Sequence, residues 1–69
     1  MIVMSEMAAQ VWRVLVEVGD EVAAGDRLLI LESMKMEIDV VAPVAGRVGR
    51  IDVEPEQAVD EGDVLVELV

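Results

Sequence analysis

Apolar positions along the chain recur with period two. Val14, Val16 and Val18 alternate with Leu15 and Glu17. Val64, Val66 and Leu68 alternate with Leu65 and Glu67, and Val48, Ile51 and Val53 sit in a third run. Such alternation belongs to half-buried strands. It predicts strands over 2–5, 11–17, 28–32, 36–41, 47–53 and 64–69, with short bridging strands near Val22 and Val59 and no helix. Gly19-Asp20, Gly25-Asp26 and Gly62-Asp63 read as turns, because glycine takes positive φ without a Cβ clash. Pro55 suits the opening of a turn, and Ala42-Pro43 ends the strand before it.

The chain also repeats itself. Shifted by 37 residues, it matches at eleven positions without a gap, including Val11/Val48, Arg13/Arg50, Val22/Val59, Gly25-Asp26/Gly62-Asp63, Leu28/Leu65 and Leu31/Leu68. Chance in this biased composition would give roughly three or four. Halves of about 1–32 and 38–69 thus share one strand–turn–strand plan, and 33–37 joins them. Neither half can cover its own apolar face, so the two must pack together. The expected fold is all-β: two antiparallel sheets related by a pseudo-twofold axis, forming a flattened β-barrel or sandwich over 1–69 as a single domain.

Composition narrows the function. The 69 residues include no Cys and no His, fifteen acids against five bases, and a net charge of −10. There is no disulfide framework, thiol nucleophile or imidazole base. Four Arg and one Lys scattered among these acids cannot neutralise a row of phosphates, which argues against nucleic acid and anionic membrane surfaces. Apolar runs such as Leu28–Leu31 fall far short of the about 20 residues that span a bilayer. The N-terminus lacks the basic stretch of a signal peptide, so a cytoplasmic protein is expected, and the net charge suits a self-repelling monomer. So small a domain encloses no deep catalytic pocket.

Lys35 is the only lysine and the central residue, with thirty-four on either side. A hairpin between 28–32 and 36–41 would project it from one end of the molecule. The bend, Ser33-Met34-Lys35, has poor turn chemistry, since a tight two-residue turn favours Asn-Gly or Asp-Gly. Either the turn is strained for a functional reason or the loop is longer and relaxed.

Glu32-Ser33-Met34-Lys35-Met36-Glu37 resembles the attachment motif of the biotin carboxyl carrier family, part of the wider biotin/lipoyl attachment domains. In that family a lysine between two methionines receives biotin. A glycine sixteen residues before that lysine matches Gly19, and one eleven residues after it matches Gly46. The Gly19–Asp26 stretch and Ala42-Pro43-Val44-Ala45-Gly46 are also similar, and the likeness runs from about residue 2 to 69. The chain departs from the pattern in two places. Ala8-Ala9 stands where Pro-Gly is common, loosening that turn, and Glu56-Gln57 stands where the repeat predicts Gly-Asp, so that Pro55 must be used differently. No insertion separates Val16 from Leu28, so the protruding thumb of some carriers is expected to be missing. The extent of the chain is that of a stand-alone attachment protein or of a carrier domain cut from a larger carboxylase.

The resemblance implies a barrel-sandwich hybrid with the modified lysine on a hairpin, a non-catalytic carrier with biotin amide-linked to Lys35. Lipoate is the less favoured cargo, because lipoyl sites usually read Asp-Lys-Ala. The implied partners are a biotin protein ligase and the biotin carboxylase and carboxyltransferase components of a biotin-dependent carboxylase. An attacking amine must be unprotonated, which lysine ordinarily is not at neutral pH. Activation must therefore come from the ligase. The resemblance implies that Met34 and Met36 contact the ligase and then the ring, although one of them could simply cap the sheet end. Glu32, Ser33, Glu37, Gly19 and Gly46 are the further candidates for ligase recognition, with Ser33 expected to hydrogen-bond the turn. The two glutamates do not form an acid/base pair, since a surface hairpin offers no water-excluded cavity. Two alternatives are a lipoyl or dual carrier passing acyl groups, and an unmodified interaction module like the sandwich hybrids of membrane-fusion adaptors.

Overall fold

The computed structural model describes residues 1–69. Eight strands follow in order: β1 (Ile2–Met4), β2 (Ala9–Val14), β3 (Glu21–Val22), β4 (Arg27–Ser33), β5 (Met36–Val41), β6 (Gly46–Ile51), β7 (Ala58–Val59) and β8 (Val64–Leu68). They form two four-stranded antiparallel sheets, β1-β8-β6-β3 and β5-β4-β2-β7. The long axis measures 30 Å and the two others 17 Å.

The 37-residue repeat maps β1, β2, β3 and β4 onto β5, β6, β7 and β8. Each sheet takes two strands from each half, so the halves interleave and are not two stacked sheets. Neither half forms a complete sheet by itself. Repeated apolar residues meet in the middle: Val11 with Val48, Leu28 with Leu65, Leu31 with Leu68 and Val22 with Val59 all belong to one cluster of 13 buried side chains. These branched side chains allow the two sheets to lie close together.

Two strands end earlier than alternation predicts. The strands read over 11–17 and 47–53 stop at Val14 and Ile51. The cause is topological. After Val14 the chain leaves one sheet to reach β3 in the other, and after Ile51 it makes the reverse crossing to β7. Period-two alternation persists through both crossings because inward-pointing residues such as Val16 and Val53 still pack on the core.

Four turns share one construction, in which Pro55 does open a turn but is not used differently from its repeat counterpart. In Glu17–Asp20, Ala23–Asp26, Glu54–Gln57 and Asp60–Asp63 the fourth residue's amide donates to the first carbonyl at 3.0, 3.0, 3.2 and 3.1 Å. In each, the fourth side chain also accepts from the first amide, at 2.9 Å for Asp20, Asp26 and Asp63 and 3.1 Å for Gln57. The third residue has positive φ: Gly19, Gly25, Gly62 and, against preference, Glu56 at +73°. Pro55 thus occupies the same second position as Val18, where its preset φ fits, and the Gln57 amide oxygen replaces the Asp20 carboxylate. Glu56 accepts left-handed strain that glycine avoids. Glu56→Gly is therefore expected to raise stability by about 0.5 kcal/mol, some 2–4 °C in Tm, read by thermal melting. An unchanged or lowered Tm would mean that the position carries no strain.

Candidate functional site

β4 and β5 form a hairpin whose register runs Leu31–Ile38, Glu32–Glu37 and Ser33–Met36. Only Met34 and Lys35 are left for the turn, so the longer, relaxed loop does not occur and Ser33 belongs to the ladder. Both turn residues are left-handed, with φ of +52° and +64°. This is the type I′ pattern, which matches the twist of paired strands but favours Asn-Gly. Left-handed backbone at two side-chain-bearing residues costs about 1–2 kcal/mol each. The turn is thus held by the paired strands and not by its own residues.

The strain puts Lys35 at the apex, exposed and in no ion pair. Met34 is 92% exposed and Met36 65% exposed, so neither closes the end of the core. Met34 takes left-handed backbone and is not extended, so strand alternation does not place it on the same side as Met36. Met36 lies on the row of Ser33, Leu31 and Ile38, one step beyond the core. The Ser33 hydroxyl takes part in none of the side-chain hydrogen bonds, contrary to the expected turn bond. Its place in the ladder fixes its backbone and leaves the hydroxyl no turn acceptor.

Glu32 and Glu37 stand directly opposite each other at the base of the turn. Ser33–Met36 closes the hairpin as a hydrogen-bonded pair, so Glu32–Glu37 is the wider-spaced type that brings side chains nearer. Like charges in that arrangement destabilise. No cation offsets them: the ion pairs are Arg27–Asp39, Arg47–Glu21 and Arg50–Asp52, and Arg13 lies 4.6 Å over the ring of Trp12. Both carboxylates are exposed. They form an acidic collar below a cationic tip, suited to being read by a basic surface.

Gly19 and Gly46 do not join this group. Gly19 makes its turn with φ +98° and donates to Val48 O at 2.7 Å. At Gly46 an added Cβ would lie 3.2 Å from Val69 O, so glycine lets the C-terminal strand pass close. Gly46 opens β6 in the other sheet and Gly19 lies in the turn that leads to β3 there, whereas their repeat counterparts Glu56 and Ala9 are the ones near the hairpin, where Gln10 pairs with Glu32 and its Nε2 donates to Glu56 O at 3.0 Å. Their spacing from Lys35 reflects the scaffold, not the tip. Gln10, beside Glu32, escaped the sequence reading because only the register reveals it.

The far end has no such turn. There β1 and β8 pair as β5 and β4 do, but the connection is replaced by the two termini, with the Met1 amino group donating to Leu68 O at 2.6 Å. Of these two similar ends, the β4–β5 end carries a lysine side chain on a closed hairpin. A primary amine at an exposed apex, with no wall around it, fits a prosthetic group joined through an amide.

The chain resembles known proteins along nearly its whole length. The family model described as "Biotin-requiring enzyme" matches residues 1–68. The chain is 46% identical over 68 residues to the biotin/lipoyl attachment protein of Bacillus subtilis (strain 168), covering 99% of this chain and 93% of that one. It is 47% identical over 60 residues to the biotin carboxyl carrier protein of Streptococcus mutans, covering 87% of this chain and 46% of the relative. The solved structure of the Kluyveromyces lactis urea carboxylase superposes with a TM-score of 0.94 at 35% identity, covering 100% of this chain and 6% of the larger one. A match across nearly the whole sequence, together with the paired sheets and the lysine hairpin, places this chain in the biotin/lipoyl attachment domain family.

Proposed function

We propose that residues 1–69 act as one biotin carboxyl carrier domain in which Lys35 is the attachment site. The observation that carries this reading is the only lysine of the chain, exposed at the apex of a strained two-residue turn. Its Nζ, deprotonated in the site of a biotin protein ligase, attacks the carbonyl of an adenylate-activated acid. The new C–N bond completes an amide as the adenylate leaves, and the amine proton passes to a base of the ligase. The domain's own part is presentation. The β4–β5 ladder holds the amine at a fixed height, Met34 and Met36 offer soft apolar contact, and Glu32 and Glu37 supply charge for orientation.

Biotin, once attached, supplies the ring nitrogen that carries carboxylate between a biotin carboxylase site and a carboxyltransferase site. Acylation removes the charge of Lys35, so the tip becomes a neutral arm above an acidic collar. The protein contributes reach and address and does not itself turn over substrate. Its net charge of −10 keeps such a domain monomeric and directs it to basic partner surfaces.

A lipoyl or dual carrier is the second reading, favoured by the name of the Bacillus subtilis relative, which covers both cargoes. Incubation with purified biotin ligase, biotin and ATP, and in parallel with a lipoate ligase and lipoate, separates the two by intact mass. One added biotinyl group and no lipoyl group is the expected result; lipoyl addition alone refutes the biotin assignment. Met36→Ala is expected to slow biotinylation several-fold while leaving the melting curve in place, because its side chain is largely outside the core. An unchanged rate of both modification and carboxyl transfer would leave Met36 without a recognition role.

A further inference from the structure

The two sheets are open along one side. β1 ends the first sheet and β5 the second, and a groove of about 780 Å³ runs between these unpaired edges. Met4 and Met7 line one wall, Ile38, Val40 and Pro43 the other, and the buried Leu31 lies beneath. The Met7 wall is preformed. Ser5, only 3% exposed, donates its hydroxyl to Met7 O at 2.6 Å and accepts from Met7 N at 3.4 Å. The β5 edge adds polar groups. Met36, Ile38 and Val40 spend their backbone bonds on β4, which leaves the N–H and C=O of Glu37, Asp39 and Val41 facing outward from the free edge.

This groove begins where the hairpin ends. Ile38 lies three residues from Lys35, about 10 Å along an extended strand. A lysine stem bearing a biotinyl chain reaches on the order of 15 Å. A folded-back arm therefore brings its ring level with Ile38 and Val40. Four of the five methionines, Met4, Met7, Met34 and Met36, border this route, and Met1 sits at the opposite end beside Leu68. Flexible, polarisable thioethers suit a ring that must dock and leave repeatedly.

We propose that the arm on Lys35 has a resting site in the β1–β5 groove, with the sulfur-containing ring against Met4, Met7 and Ile38 and the ureido group on the free backbone edge of β5. The proposal rests on the biotin reading above. It makes the carrier a two-position device: the arm lies along its own domain in transit and extends when a partner's site captures it.

Methionine-methyl labelling tests the site directly. Protein labelled with ¹³C at the methionine methyls is compared before and after enzymatic biotinylation, the mass of each sample being measured first. In the biotinylated sample, the Met4 and Met7 methyl signals should shift and show nuclear Overhauser contacts to ring protons, while Met1 stays in place. In a fully biotinylated sample, changes confined to Met34 and Met36 overturn the resting site and leave the attachment reading intact. A sample whose mass does not rise refutes the attachment reading itself, and the resting site with it.

Discussion

Lys35→Arg yields a protein that folds like its parent and gains no biotinyl group. The substitution keeps a positive charge and a long stem at the apex, so the acidic collar of Glu32 and Glu37 faces the same sign of charge. An arginine in the left-handed turn is strained as lysine is, and the exposed site is expected to change stability by no more than about 0.5 kcal/mol. What changes is nucleophilicity. A guanidinium stays protonated under any condition a ligase meets and offers no free amine. Because Lys35 is the sole lysine, no second side chain can take over. Intact mass after exposure to ligase, biotin and ATP reads the outcome as all or none. A labelled variant would refute the site assignment.

Gly25→Val produces the largest loss of stability, about 1 kcal/mol or more. The residue has φ of +91°, where a β-branched side chain is a genuine outlier. Space is not the obstacle, since nothing lies within 4 Å of an added Cβ. The cost is therefore local backbone strain, offset in part by the lower entropy of the unfolded valine chain. The turn also matters to the hairpin. Gly25 N donates to Ala42 O and Ala42 N to Asp26 O, both at 2.8 Å, which clamps the exit of β5. A domain of this length holds roughly 3–10 kcal/mol in total, so the Tm is expected to fall by about 5–10 °C. A melting curve within 1–2 °C of the parent would show that the turn relaxes into a conformation that valine tolerates. Gly62→Val is the matching control, since Gly62 N donates to Ser5 O at 2.8 Å and clamps the corresponding segment after β1.

The repeat made most of the architecture readable. Val11 and Val48, or Leu28 and Leu65, occupy corresponding positions in the chain because they occupy corresponding positions in the core. The Gly-Asp dipeptides marked three turns through a specific mechanism, a left-handed residue followed by a side chain that locks the first amide. The fourth turn was misread because no propensity predicts Glu56 with positive φ; it is imposed by Gln57, by the amide of Glu56 donating to Val11 O at 2.7 Å, and by the two strands that the turn connects. Strand ends at Val14 and Ile51 were hidden because alternation reports burial, not pairing, and burial continues across the change of sheet.

The apex of the candidate site was equally plain, since a lone lysine between the repeats needs no knowledge of packing. Its surroundings were less so. Gly19 and Gly46 keep fixed distances from Lys35 along the chain but lie in the turn before β3 and at the start of β6, away from the β4–β5 pair. Gln10 and Met7 are distant in sequence and close to the hairpin only through register and the pinned Ser5 turn. The interleaving of the halves has the same origin, because β5 and β1 end opposite sheets although they correspond in the repeat.

Tryptic mapping of the protein taken from its own cells examines the acylated amine most directly. Trypsin cuts after unmodified lysine and arginine but not after a lysine whose charge an acyl group has removed. With arginines at 27 and 47 as the neighbouring cleavage points, acylation leaves Leu28–Arg47 as one fragment carrying a single biotinyl group on Lys35. That uncut, biotinylated fragment is the expected result. Complete cleavage into Leu28–Lys35 and Met36–Arg47, in cells supplied with biotin and an active ligase, would contradict it.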